Sequence, residues 1–242
     1  MTDAELSAWL ASEAGKLLLD LQQSGALEGK ALGDEGDHIA NAFLCRALRE
    51  NRPDDALLSE EEKDSASRLS AHRVWIVDPL DGTREYSEKR SDWAVHVALA
   101  VDGKAVAGAV ALPGAGVTLC SANPPGLRPA NDPLRMLVSR TRPAAEAVAV
   151  AKQMKAELFP MGSAGAKAMA VLRGEADIYL HTGGQYEWDN CAPVAVAQAA
   201  GLHCSRIDGT PMVYNNADPY LPDLLICRPE IAEQVLALVR GG

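Results

Sequence analysis

This 242-residue chain has no excess of basic residues, no long apolar run and no cysteine framework. Each absence removes a class of function. Only 23 Lys and Arg stand against 33 Asp and Glu, a formal net charge of −10. Such a chain repels the phosphate backbone of DNA or RNA at long range, and no basic block offsets this, so a nucleic-acid polymer is excluded as a partner. No stretch approaches the ~20 uninterrupted apolar residues of a membrane helix. The closest, from Trp93 to Val117, is broken by His96, Asp102, Lys104 and Pro113. The run Met1-Thr2-Asp3-Ala4-Glu5 lacks the positive start and apolar stretch of a signal peptide, which predicts a cytoplasmic protein. Cys45, Cys120, Cys191, Cys204 and Cys227 are an odd, widely spaced set. They read as reduced core residues, not a disulfide framework or a zinc cluster. The five histidines (His38, His72, His96, His181, His203) show no ligand spacing and are assigned no chemistry.

What remains is an ordinary globular balance, 48% hydrophobic and 23% charged, long enough for one to two domains. Thr2 and Glu5 have capping-box spacing ahead of Leu6, Trp9, Leu10, Leu17 and Leu21, which predicts a first helix ended by Gly25 and Gly29. A second helix is expected from near Asp37 to before Pro53. From Arg73 the period changes. Strands are predicted at Val74–Val77, Trp93–Val101, Ala105–Leu112 and Val117–Ser121, with Asp102-Gly103 as a hairpin turn. A proline-rich break around Asn123–Pro133 divides the chain into an expected N-terminal α+β domain, 1–130, and a C-terminal α/β domain, 131–242. In the second part, strands at Leu134–Ser139, Ala176–His181 and Leu224–Cys227 alternate with helices at Ala144–Lys155, Ala166–Arg173, Pro193–Ala200 and Glu230–Val239. The pattern predicts a layered mixed α/β architecture.

The most informative stretch is Val77-Asp78-Pro79-Leu80-Asp81-Gly82-Thr83. It follows a buried-looking strand, so its turn lies at a strand's carboxyl end, where α/β proteins place their sites. Pro79 stiffens the turn, letting Asp78, the Leu80 carbonyl and Asp81 aim oxygens at one hard cation. The N–H groups of Gly82 and Thr83 could cradle an anion. Glu60, in Leu58-Ser59-Glu60-Glu61-Glu62, reads either as part of an exposed acidic loop or as a further ligand. Asp189 reads as a helix cap or a ligand. Together Glu60, Asp78, Asp81 and Asp189 are hard oxygen donors with no His or Cys cluster, an inventory that selects Mg²⁺ or Mn²⁺ over Zn²⁺. An acidic pocket accepts a phosphate only when metal charge reverses its sign, so metal and anionic substrate imply one another. Gly162-Ser163-Ala164-Gly165-Ala166-Lys167 lacks the Gly-Lys-Ser/Thr of a P-loop. It opens a helix whose free N–H groups could meet a ribose or phosphate oxygen, or it is close packing of small residues. Tyr186 and Trp188 read as interior aromatics or as flanks for a planar base.

Glu60-Glu61, then Asp78 to Thr83, then Trp188-Asp189 and Ala192 resemble the successive signatures of the inositol monophosphatase superfamily. Gly162 to Lys167 is similar to that family's glycine-serine segment. Asp81-Gly82-Thr83-Arg84-Glu85-Tyr86, Trp93-Ala94-Val95-His96 and Gly183 to Asp189 look most like its CysQ-type 3′(2′),5′-bisphosphate nucleotidase branch, in its actinobacterial form. The resemblance implies a layered αβαβα sandwich of the inositol monophosphatase and sugar phosphatase type. It implies Glu60, Asp78, the Leu80 carbonyl, Asp81 and Asp189 as ligands for two or three Mg²⁺ ions, with Mn²⁺ a substitute and Li⁺ an inhibitor. Thr83 and Asp37 would activate the attacking water, with Asp34 a rival for Asp37. Asp81, Gly82, Thr83, Gly162, Ser163, Lys167 and Glu187 would contact substrate. The implied reaction is hydrolysis of 3′-phosphoadenosine 5′-phosphate to AMP and phosphate in sulfate assimilation. Inositol 1-phosphate or fructose 1,6-bisphosphate is the alternative substrate. A homodimer is compatible with the family.

Overall fold

The computed structural model describes residues 1–241. Helix α1 (Asp3–Ser24) begins at the Thr2–Glu5 capping box and stops at Gly25, whose left-handed φ of 66° closes the helix. Helix α2 (Gly29–Asn51) starts well before Asp37, which corrects the expected boundary and takes Asp37 out of any capping role. Gly33 and Gly36 look like breakers in sequence but sit inside the helix as points of close approach. A Cβ on Gly33 would stand 2.9 Å from Thr83 Cγ2, and one on Gly36 2.8 Å from Tyr86 Cε1. Their missing side chains bring α2 onto the Asp78–Thr83 turn.

Strands β1 (Ala56–Ser59), β2 (Arg73–Asp81), β3 (Ala94–Val101), β4 (Lys104–Leu112) and β5 (Val117–Cys120) form one sheet in that order. Only the β1–β2 pair is parallel. The five-residue helix α3 (Thr83–Ser87) follows β2 directly. Beyond the proline-rich stretch, β6 (Arg135–Ser139), β7 (Glu157–Met161), β8 (Ile178–Tyr186), β9 (His203–Ser205) and β10 (Tyr220–Cys227) form a second sheet ordered β7-β6-β8-β10-β9. Its helices are α4 (Ala145–Met154), α5 (Ala164–Leu172), α6 (Glu187–Ala199) and α7 (Ala232–Arg240). Helix α6 begins six residues before Pro193, the residue the sequence offered as its start. Pro193 lies inside it, and its missing N–H leaves the Asp189 carbonyl without an intrahelical donor.

Alternation along β2 and β3 sets the layers. Trp75, Val77, Val95, Val97 and Leu99 pack under α1 and α2. Val74, Ile76, Ala94 and Ala98 face the opposite way, into a core shared with α5, α6 and the second sheet through Leu137, Tyr179 and Ile226. The outer face of that sheet is closed by α4 and α7 through Val150, Val235 and Leu236. The order is thus helices, sheet, helices, sheet, helices, the αβαβα sandwich expected. Both faces of each sheet are covered, which is why β2 and β3 read as continuous apolar runs. His96 is the exception in β3, a fully buried polar residue on the side facing α5 and α6.

Candidate active site

The end of β2 supplies Asp78 and Asp81, and the first turn of α6 supplies Asp189. One oxygen from each lies within 4.8 Å of the others. Asp78 and Asp81 are buried, and Asp189 is half-buried. Asp78 Oδ1 accepts the Leu80 N–H at 3.0 Å, which folds the turn back on itself. Asp189 Oδ2 accepts the Tyr186 N–H at 2.6 Å, so it caps its own helix while facing the β2 acids.

Asp81 is held differently. Its Oδ2 accepts the Ser163 hydroxyl and the Gly165 N–H (2.7 Å), and its Oδ1 the Ala164 N–H (3.1 Å). The first turn of α5 therefore receives the Asp81 carboxylate, where helix dipole and donors favour negative charge. His96 Nδ1 lies 3.0 Å from the Trp188 carbonyl, and its Nε2 lies 3.2 Å from Asp81 Oδ2 without hydrogen-bond alignment. Lys167 is buried beneath, its ammonium on the carbonyls of Gly162 (3.2 Å) and Ser163 (2.5 Å).

These surroundings divide the acids. Burial alone would raise Asp81, but the His96 imidazole, the Ser163 hydroxyl and the Lys167 ammonium outweigh it and hold the carboxyl down at about 2. Asp78 has no such support. Burial first, then the charges of Glu60, Asp81 and Asp189, push it well above the carboxylate range. Asp189 rises to about 6 through burial and the nearby Asp81 charge. Glu60, just after β1, is exposed and lies outside this group of three oxygens. Crowding and the charge of Asp189 raise it to about 8. Asp78 and Asp81 from β2 and Asp189 from α6 thus meet with too little positive charge to balance them. Hard oxygen donors and uncompensated negative charge fit a divalent cation, and among the described residues only the Asp78, Asp81, Asp189 group has this geometry.

Beside this cluster, Thr83 Oγ1 lies 3.1 Å from the Leu80 carbonyl and 3.4 Å from Asp37 Oδ1. Burial and the charge of Glu61 lift Asp37 to about 7. Asp34 lies one turn away, exposed, and pairs with Lys30 at 2.6 Å. The structure brings Asp37, not Asp34, to Thr83.

Several expected substrate contacts are occupied by the protein itself. Gly162 N–H donates to Asp92 Oδ2 at 2.8 Å, and Ser163 Oγ also accepts the Ala166 N–H at 2.9 Å. The expectation that this helix start offers free N–H groups is corrected: its donors are spent on Asp81 and Ser163. Glu187 is fully buried and also turned away from solvent. Its carboxylate accepts the backbone N–H groups of Asn215 and Asn216, each at 2.7 Å, and the Asn216 amide at 2.8 Å. Asn215 in turn accepts from buried Arg68 at 2.8 Å and donates to the Arg68 carbonyl at 2.9 Å. Arg68 grips Asp64 through two bonds of 2.7 and 2.8 Å. The loop after Glu60 is thereby strapped to the start of α6, two residues from Asp189. Gly82, at a φ of 89°, and Thr83 stay at the turn where the motif placed them.

Sequence reasoning missed His96, Arg68 and Asn215. The signal for His96 was a lone polar residue in an otherwise apolar strand. Arg68 and Asn215 left none, because their partners are remote in the chain.

Residues 6–241 match the inositol monophosphatase family. The chain is 48% identical to the 3′-phosphoadenosine 5′-phosphate phosphatase of Mycobacterium leprae, over 99% of this chain and 94% of that protein. It is 30% identical to the 3′(2′),5′-bisphosphate nucleotidase CysQ of Escherichia coli, over 76% and 80% of the two chains. The crystal structure of CysQ from Bacteroides thetaiotaomicron superposes with a TM-score of 0.78 at 24% identity, covering 92% of this chain and 96% of that one, which shows a shared fold. With the acidic cluster, the layered sandwich and a match across nearly its whole length, this chain belongs to the inositol monophosphatase family, whose members are metal-dependent.

Proposed function

We propose that this protein is a Mg²⁺-dependent phosphomonoesterase that hydrolyses 3′-phosphoadenosine 5′-phosphate with water, giving AMP and inorganic phosphate. Mn²⁺ is a substitute cation and Li⁺ an inhibitor. The observation that carries the chemistry is the meeting of Asp78, Asp81 and Asp189 within 4.8 Å, beside the Thr83–Asp37 pair. The names of the relatives at 48% and 30% identity carry the substrate.

Asp78, Asp81, Asp189, Glu60 and the Leu80 carbonyl would hold the cation. When bound, it supplies Lewis-acid polarisation of the phosphoryl oxygens and charge neutralisation for the leaving alkoxide. Asp37 at about 7 is suited to take a proton near neutral pH, and Thr83 links it to the turn. The pair orients a water for in-line attack on phosphorus, so no covalent enzyme intermediate is needed. Asp81, fixed by α5 and His96, stays ionised throughout. Catalysis then rests on positioning and preorganised charge. We assign the enzyme to the cytoplasm, in keeping with the absence, among the described residues, of any helix long and apolar enough to cross a membrane.

A phosphate-release panel tests this reading. Adenosine 3′,5′-bisphosphate, inositol 1-phosphate and fructose 1,6-bisphosphate are compared with Mg²⁺, with EDTA and with added Li⁺. The expected result is Mg²⁺-dependent, Li⁺-sensitive release, fastest from the adenosine bisphosphate. Preference for either sugar phosphate overturns the substrate, and restoration after EDTA by Zn²⁺ alone overturns the oxygen-ligand argument.

A further inference from the structure

Beside Asp189 stands a group of aromatic rings: Trp188 packs in part against the core, while Tyr186 and Tyr220 stand open to solvent. Tyr186 and Trp188 stack with centroids 4.8 Å apart and planes 9° from parallel. Tyr220 meets Tyr186 edge-on at 5.9 Å and 79°. Tyr186 is 44% exposed and Tyr220 45%, whereas Trp75, Trp93, Tyr86 and Tyr179 are all buried in the cores. Tyr186 is therefore not an interior aromatic.

The rings are fixed in place. Tyr220 on β10 is the register partner of Tyr186 on β8, and the Glu187 N–H donates to the Pro219 carbonyl at 2.9 Å, tying the two chain segments together. The Tyr220 ring lies on the bare Cα of Gly184: a Cβ there would stand 2.5 Å from Cε2 and 2.6 Å from the hydroxyl oxygen. Gly184 also holds a φ of +95°, so no ordinary side chain could replace it. The Tyr186 N–H is the donor that caps Asp189. The aromatic group and a carboxylate of the acidic cluster are thus held by the same few residues, Gly184 to Asp189.

We propose that Tyr186, Trp188 and Tyr220 form the seat for the planar base of a nucleotide substrate, a proposal that rests on the phosphatase reading above. Exposed aromatic surface fixed next to an anion-handling centre suits a ligand with a charged end and a flat apolar end. A polyol phosphate has no flat end. The rings offer stacking faces and tyrosine hydroxyls but no charged group, so recognition is by the π-face and not by base-edge hydrogen bonds. Stacking of this kind tolerates different bases. Adenosine and guanosine 3′,5′-bisphosphates should therefore be accepted alike.

The test uses Tyr186→Leu and Tyr220→Leu, with Tyr186→Phe and Tyr220→Phe as ring-keeping partners, each checked for an unchanged melting temperature. The quantity read is the ratio of kcat/KM for adenosine 3′,5′-bisphosphate to that for glycerol 2-phosphate, which has no ring. Each Leu variant should lower the ratio about tenfold, within the range found for loss of one base–aromatic stack, through a higher KM for the nucleotide. The Phe variants should keep it. Calorimetric binding of AMP in Mg²⁺ should weaken in the same pattern. A ratio that the Leu variants leave unchanged, or that the Phe variants lower as much, overturns the proposal. A protein that binds AMP through these rings but releases no phosphate overturns only the phosphatase reading. One that hydrolyses the nucleotide with a KM indifferent to both rings overturns only this proposal.

Discussion

Gly33→Ala separates the positioning of Thr83 from the stability of the fold. Inside α2 the change should gain up to about 1 kcal/mol of helix propensity. Against this, the new methyl would stand 2.5 Å from Ser87 Oγ and 2.9 Å from Thr83 Cγ2. Ser87 Oγ can rotate away only by giving up its 2.8 Å bond to the Thr83 carbonyl. Thr83 Cγ2 moves only with the residue itself. Overpacking of this kind costs about 1–3 kcal/mol, so the net change lies between about 0 and 2 kcal/mol of destabilisation. At about 2–4 °C per kcal/mol for a chain of this size, the melting temperature falls by less than about 8 °C. Activity should suffer far more. Thr83 Oγ1 to Asp37 Oδ1 is 3.4 Å, already at the long limit of a hydrogen bond, and the methyl pushes the two apart. Displacing a proton-handling pair by a fraction of an ångström should lower kcat about 100-fold, with KM and the Mg²⁺ requirement little changed. Gly36→Ala is the control. Its methyl would meet Tyr86 and Leu80 and not Thr83, so it should match the loss in melting temperature but not the loss in kcat. A Gly33→Ala enzyme with a lowered melting temperature but a kcat within about threefold of wild type would show that α2 does not position the pair.

Other expectations follow from the same geometry. Asp37→Asn should lower kcat at least about 100-fold while Asp34→Asn stays near wild type, because only Asp37 reaches Thr83; equal, mild effects in initial-rate assays would remove both from the mechanism. Arg68→Ala cuts the strap from the Glu60 loop to Asn215 and should raise the Mg²⁺ concentration for half-maximal activity about tenfold, the usual effect of losing support behind metal ligands; an unchanged Mg²⁺ titration would show that the strap is only structural. Without metal, folded Asp78 and Glu60 keep protons that their unfolded forms release near the ordinary carboxylate range. The chelated protein should therefore melt at a lower temperature at pH 8 than at pH 5.5, and added Mg²⁺ should reverse the trend; a melting temperature that rises with pH in EDTA contradicts the assignment.

Local regularities were legible. The Thr2–Glu5 box placed the start of α1, and the apolar runs of β2 and β3 announced a sheet covered on both faces. Elements whose residues serve a remote partner were not. Gly33 and Gly36 read as a loop because their task, close contact with Thr83, Ser87 and Tyr86, lies across the fold. Strand β7 escaped notice because it is a five-residue exposed edge containing Glu157 and Pro160, with no alternation to mark it. Pro193 suggested a helix start, whereas Asp189 had already capped one through Tyr186.

The site divides along the same line. The Asp78–Thr83 heptapeptide announced itself because its chemistry is compact in sequence. The stretch from Gly162 to Lys167 also looked like a site, for a sound physical reason applied to the wrong anion. A serine-capped helix start with small residues binds negative charge whether that charge is a ligand's phosphate or a carboxylate of the same chain. Here the anion is Asp81, and Ser163, Ala164 and Gly165 satisfy it. That pairing has a consequence for catalysis that no local pattern carries. Asp78 and Glu60 are destabilised as charged groups until a cation arrives, while Asp81 is already ionised and fixed. Asp81 would thus offer a cation an anchored, charged ligand, whereas Asp78 and Glu60 would have to give up protons to hold it. This makes α5, with the His96 imidazole and the buried Lys167 behind it, as much a part of the candidate metal centre as the acids themselves.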